Sequence, residues 1–209
     1  MSHHILTTNY NSIRGHISNG DVVLFDGRGV VSRLVRMFAG IPSHSAMVCN
    51  THDDGRVQLI ESTSQWIGRN WVIGVQFTYL SERLKNYKGR VWVAPLTAEN
   101  KQKVKDDPKV LEDYLIEMYG KSYDFWQVFR KGWSLASLPR LFPLKENYNR
   151  LFCSELIAGY FKRAGILPSS VNASTITPRE LAQFRLYGPI LLQLCGKRTD
   201  LPGFNTVQP

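Results

Sequence analysis

The chain has 209 residues, and two of them stand where nucleophilic chemistry can be built. Cys153 lies in Arg150-Leu151-Phe152-Cys153-Ser154-Glu155-Leu156, where the strongest helical pattern in the sequence begins. A cysteine in the first turn of a helix feels the positive end of the macrodipole and unpaired backbone N–H groups, and both favour thiolate. The same N–H groups can receive an oxyanion. His44 opens the run Ser43-His44-Ser45-Ala46-Met47-Val48, just after Ile41-Pro42. A thiolate nucleophile needs a base within hydrogen-bond reach, and that base needs a partner to fix its tautomer. Each residue alone has a plainer reading: a free cysteine commonly serves as a small core residue, and a single histidine at a strand start is commonly a solvated side chain.

The third candidate, Glu61, follows from strand parity. SHSAMVCN and VQLIEST flank an Asp-Gly turn and read as a hairpin. With a two-residue loop at Asp53-Asp54 or Asp54-Gly55, paired positions add to an odd number. Even positions of the first strand then share a face with odd positions of the second. His44 and Glu61 would project to the same side, where a carboxylate can orient the imidazole and support its charge. Cys49, at odd parity on the first strand, would face away.

The elements that must carry these residues read as follows. Residues 1–19 are polar and without period, an N-terminal arm or short helix. GDVVLFDG is an apolar run between turn signals, a buried strand. Val30, Val31, Leu34, Val35 and Phe38 have helical spacing, stopped by Gly40 and Pro42. After the hairpin come WVIGVQF and GRVWVAPL, separated by SERLKNYK, so three or four antiparallel strands are predicted between about residues 44 and 96. Residues 100–119 are helical, with a break near Pro108 and a stop at Gly120. Residues 121–150 form an aromatic insertion with prolines at 139 and 143, read as helix plus loop. Its Phe125, Trp126, Phe129, Trp133 and Phe142, among Arg130, Lys131, Arg140 and Lys145, suit either a substrate groove for an amphipathic or anionic group or a packed core. Leu151–Ala164 is a helix stopped by Gly165. Thr177-Pro178-Arg179-Glu180 has the form of a helix start, with Thr177 as cap and Pro178 in the first position. Ile190–Leu194 is a strand or a buried tail.

Composition narrows the function classes. Hydrophobic residues make up 43% and charged residues 21%, enough apolar surface for a folded core rather than a disordered chain. No apolar run has the length of a membrane span, and the N-terminus lacks the basic-then-apolar pattern of an export signal. The chain is therefore expected to be cytoplasmic at synthesis, reaching any wall substrate by lysis or as part of a virion. The net charge is +9, spread along both halves without a block of five like charges. It permits peripheral contact with an anionic surface such as lipid or wall polymer. No zinc-finger, RNA-recognition or helix-turn-helix signature points to specific nucleic-acid binding. Three cysteines, Cys49, Cys153 and Cys195, cannot all pair within one chain, which argues against a disulfide scaffold. No C-x-x-C is present, so no metal site is expected, and cysteine–histidine chemistry needs no organic cofactor.

The ordered pieces together resemble a family. They are Gly20-Asp21-Val22-Val23-Leu24-Phe25, Ser43-His44-Ser45-Ala46-Met47-Val48, Leu59-Ile60-Glu61-Ser62-Thr63 and Phe152-Cys153-Ser154-Glu155-Leu156. Gly74-Val75, Tyr119-Gly120-Lys121-Ser122-Tyr123-Asp124 and Ile176-Thr177-Pro178-Arg179-Glu180-Leu181 add to the pattern. Over about residues 20–185 this is similar to the circularly permuted branch of the NlpC-type papain-like cysteine hydrolases, the YiiX-like group. The resemblance implies one α+β domain over 1–209, papain-like, with a small antiparallel β-barrel or sheet packed against the nucleophile-bearing helix, and the histidine strand before the cysteine helix. It implies Cys153 as nucleophile, His44 as base and Glu61 as third polar residue. The expected function is cysteine-dependent hydrolysis of an amide bond, in a cell-wall (peptidoglycan) peptide, through a thioacyl intermediate. The alternatives are lipid acyl hydrolysis or acyl transfer on the same fold, and a non-catalytic module that binds wall polymer or anionic lipid.

Overall fold

A computed structural model describes residues 4–28, 40–50, 55–67, 70–85, 87–121 and 153–209, and the side chains of 64–72 are not described. The helical pattern expected around Val30–Phe38, the Asp53-Asp54 turn and the aromatic segment after residue 121 lie outside the described residues.

The architecture is α+β, built on one seven-stranded mixed sheet. In chain order the elements are β1 (His4–Thr7), α1 (Tyr10–Ile13), β2 (Val22–Asp26), β3 (His44–Val48), β4 (Gln58–Ile67), β5 (Asn70–Tyr79), α2 (Leu80–Lys85), β6 (Arg90–Ala94), α3 (Ala98–Asp106), α4 (Pro108–Met118), α5 (Cys153–Arg163), α6 (Pro178–Gln183) and β7 (Ile190–Cys195). The strand order is β1-β7-β6-β2-β3-β4-β5. Four of its strands, β3 to β6, fall between residues 44 and 96 and pair antiparallel, as expected there; the sheet as a whole is mixed because β1 pairs parallel with β7. The N-terminal stretch is thus an edge strand rather than a free arm. Ile5, Ile13 and Ile17 are buried, while Leu6 is exposed.

Side-chain alternation splits the core in two. Val22, Leu24, Met47, Cys49, Ile60, Trp92 and Ala94 pack on one face of the sheet. Val23, Phe25, Ala46, Val48, Leu59, Val91 and Val93 pack on the other. Such period-2 division follows from the pleat. Helix α5 lies on the first face, against β3 and β4, and buries Leu156, Ile157, Tyr160 and Phe161 there. Each such side chain contributes roughly 1.5–3 kcal/mol by leaving water. Two hydrogen bonds hold the start of α5: the Ser154 hydroxyl donates to the Ile176 carbonyl at 2.6 Å, and the Tyr114 hydroxyl to the Leu156 carbonyl at 2.6 Å. The second face carries α1 and the start of α2.

Several local signals act as the sequence indicates. The helical stretch 98–118 breaks at Pro108, the first residue of α4, where Asp107 caps the new helix by accepting from the Val110 N–H. Thr177 caps α6 in a full capping box with Glu180. Among the described residues, no helix is long and apolar enough to cross a membrane.

Candidate active site

Residues on β3 and β4 are paired with odd parity: Met47 faces Ile60, and Val48 faces Leu59. His44 and Glu61 therefore share a face, and their side chains meet, with His44 Nε2 at 2.7 Å from Glu61 Oε2. Glu61 is fully buried and His44 is 17% exposed. The carboxylate partner assigns the proton to Nε2, which leaves Nδ1 as the nitrogen available to a nucleophile.

Cys153, the first residue of α5, is buried and interacts with His44 and with the backbone and side chain of Ser45. The helix and His44 belong to opposite faces of the sheet. They meet at the start of β3, where His44 and Ser45 both reach Cys153. The three side chains singled out from the sequence, Cys153, His44 and Glu61, are thus brought together. Cys49 lies across the sheet from Ala46 and Val48, in the helix-side core, and burial pushes its thiol up. Cys195 is half-buried, and burial raises it too. All three cysteines are free thiols.

The electrostatics separate Cys153 from the other two. Burial would raise the Cys153 thiol, yet the adjoining His44 and the donors of Ser45 outweigh it and hold the thiol below its ordinary value. Burial would likewise lower His44. The Cys153 thiolate and the Glu61 carboxylate outweigh that effect and push the imidazole up to about 9. Burial would raise Glu61, but Arg83, His44 and Thr78 together lower it to about 2. All three shifts run in the direction of a thiolate–imidazolium pair backed by an ionised carboxylate.

Two of these partners were not singled out from the sequence. The Thr78 hydroxyl donates to Glu61 Oε1 at 2.6 Å, and Arg83 Nε lies 3.1 Å from the same oxygen. Thr78 could have been found from the register of β4 and β5, which pairs Glu61 with Gln76 and places residue 78 on the same face. Arg83 could not, because SERLK reads as an ordinary exposed helical turn.

No family model matches the sequence, and no curated protein matches it. Among solved structures, the chain is similar to the crystal structure of the metalloprotein YiiX from Escherichia coli, at 18% identity and a TM-score of 0.44. The match covers 71% of this chain and 66% of that one. Overlap of that degree carries neither fold detail nor activity to this chain. Among the described residues, no group of three or more His, Cys, Asp or Glu side chains is placed to hold a metal ion.

Proposed function

We propose that this protein is a cysteine hydrolase of permuted papain-like organisation, acting on an amide bond. One observation carries the reading: a buried cysteine at a helix start faces a histidine whose far nitrogen sits 2.7 Å from a buried carboxylate. The Cys153 thiolate attacks the substrate carbonyl carbon. The C=O π pair moves onto oxygen, and the oxyanion rests on backbone N–H groups of the first turn of α5, that of Cys153 included. Imidazolium His44 gives its Nδ1 proton to the departing amine as the C–N bond breaks, leaving a thioester on Cys153. Neutral His44 then takes a proton from water, hydroxide adds to the thioester, and the thiolate leaves. Glu61 stays ionised throughout and holds Nε2–H. A wall peptide is the first substrate to try, and a lipid acyl ester, with water or a second acceptor, is the next.

The test is incubation of the wild type and Cys153→Ser with peptidoglycan stem peptides and with acyl-ester lipids. New amine termini, together with a mass increase on Cys153 equal to the acyl group, support the amidase reading, and Cys153→Ser is expected to lose turnover while keeping its melting temperature. Turnover of esters alone moves the substrate to lipid. Full activity in Cys153→Ser removes the nucleophile and the reading with it.

A further inference from the structure

Glu61 is gripped from both ends. Oε2 faces His44, while Oε1 accepts from the Thr78 hydroxyl and stands 3.1 Å from Arg83 Nε in an ion pair. These two partners come from adjoining elements, the end of β5 and the α2 turn that follows it. Arg83 is itself seated, its guanidinium 5.0 Å from the centre of the Phe25 ring. Phe25 pairs with His44 in the β2–β3 ladder, and their rings lie 5.6 Å apart.

A fully buried carboxyl group reverts to the neutral acid unless a cation stands beside it. His44 cannot be that cation through a whole reaction cycle, because it loses its charge when it protonates the leaving group. At that moment Glu61 would be a buried anion beside a neutral ring. Among the described residues, the other groups around this point are Cys153, reached through His44, and Tyr87, which senses both Arg83 and Glu61 along with Asp26 and Cys195. None of them is cationic, and Arg90 is engaged with Asp26. A guanidinium keeps its charge at every working pH.

We propose that Arg83, seconded by Thr78, is a positioning residue: it keeps Glu61 a carboxylate aimed at His44 Nε2 during the steps in which His44 is neutral. The assignment rests on the hydrolase reading above. Without Arg83, Glu61 takes up a proton more readily, the imidazolium loses support, and the thiolate loses its counter-ion. The pH range in which thiolate and imidazolium coexist then narrows from both sides.

The experiment is the pH dependence of Cys153 alkylation by iodoacetamide, read by peptide mass spectrometry in the intact protein, for wild type, Arg83→Gln, Arg83→Lys and Thr78→Val. It needs no substrate. In Arg83→Gln the acidic limb is expected to move up by about one pH unit or more, which lowers the rate at pH 6 roughly tenfold. Arg83→Lys restores most of that shift because the charge remains, and Thr78→Val moves the limb less. An acidic limb at the wild-type position in both Arg83→Gln and Thr78→Val overturns the assignment, whatever happens to their melting temperatures. If Arg83→Gln fails to fold, Thr78→Val and Arg83→Lys carry the test, and an unmoved limb in Thr78→Val overturns it. A wild-type Cys153 that titrates as an ordinary thiol overturns the hydrolase reading and this assignment together, whereas a low wild-type limb that no variant moves overturns the assignment alone.

Discussion

Asp21 and Glu61 are both carboxylates with no solvent exposure, each beside one long cation, and they do different work. Asp21 accepts from the Ser18 N–H at 2.9 Å and the Leu96 N–H at 2.9 Å, with Lys101 Nζ at 3.2 Å. Two of its partners are backbone amides, so it ties the entry of β2 to the end of β6 and to α3. Glu61 has only side-chain partners among its hydrogen bonds and ion pairs, and one of them, His44, titrates. Burial dominates Asp21 and raises its carboxyl above the ordinary value. At Glu61, Arg83, His44 and Thr78 overcome burial and bring it to about 2. A carboxylate that grips backbone holds the chain together, whereas one that grips a titrating ring sets that ring's charge.

The contrast is broken most severely by conservative amidation of each acid. Glu61→Gln is expected to lower kcat by roughly 10²–10⁴-fold, the range of a general acid–base contribution. The same change should bring the alkaline limit of the kcat profile, where His44 must be protonated to donate to the leaving group, below the value near 9 to which His44 is raised. Asp21→Asn should leave both the rate, within about twofold, and the alkylation profile unchanged. Equal losses of activity in the two variants would erase the distinction.

A second effect reverses the ranking. Asp21→Ala strands two backbone N–H groups and the Lys101 ammonium, and is expected to destabilise the fold by roughly 2–4 kcal/mol in denaturant titration. The Cys153 alkylation limb of the folded protein should stay where it is. A shifted limb would mean that Asp21 communicates with the site.

The smallest effect is a difference of sign in acid. Glu61 has a depressed folded-state pKa, so its stabilisation is present above about 4.5 and fades as pH falls towards about 2. Asp21 has a raised one, so its penalty is present at higher pH and is relieved as pH falls through the raised value towards the ordinary 3.8. Between about pH 6 and pH 2, the stability advantage of wild type over Glu61→Gln should shrink, and the advantage over Asp21→Asn should grow. Matching slopes in thermal melts across that range would show that the two carboxylates do not differ as described.

Much of the local structure was legible in the order of residue types. Apolar runs between turn signals marked β2, β3, β4, β5 and β6, a proline marked the α3–α4 break, and Thr177 with Glu180 marked the start of α6. Parity alone put His44 and Glu61 on one face, because side-chain direction in a strand depends only on even or odd spacing. The placement of Cys153 at a helix start was also readable, since helical periodicity shows where a helix begins. Pairings between distant segments were not readable. β1 joins β7 across nearly the whole chain, although residues 4–7 carry no alternation of their own, and the edge strand exists because β7 offers it backbone partners. Arg83 reaches Glu61 from a turn whose sequence is ordinary, and Cys153 meets His44 at the end of a sheet that separates their two faces. Local pattern records how each segment directs its own side chains, and only the packing of α5 and α2 against β3 and β4 decides which of those side chains share a dry space and so set one another's charge.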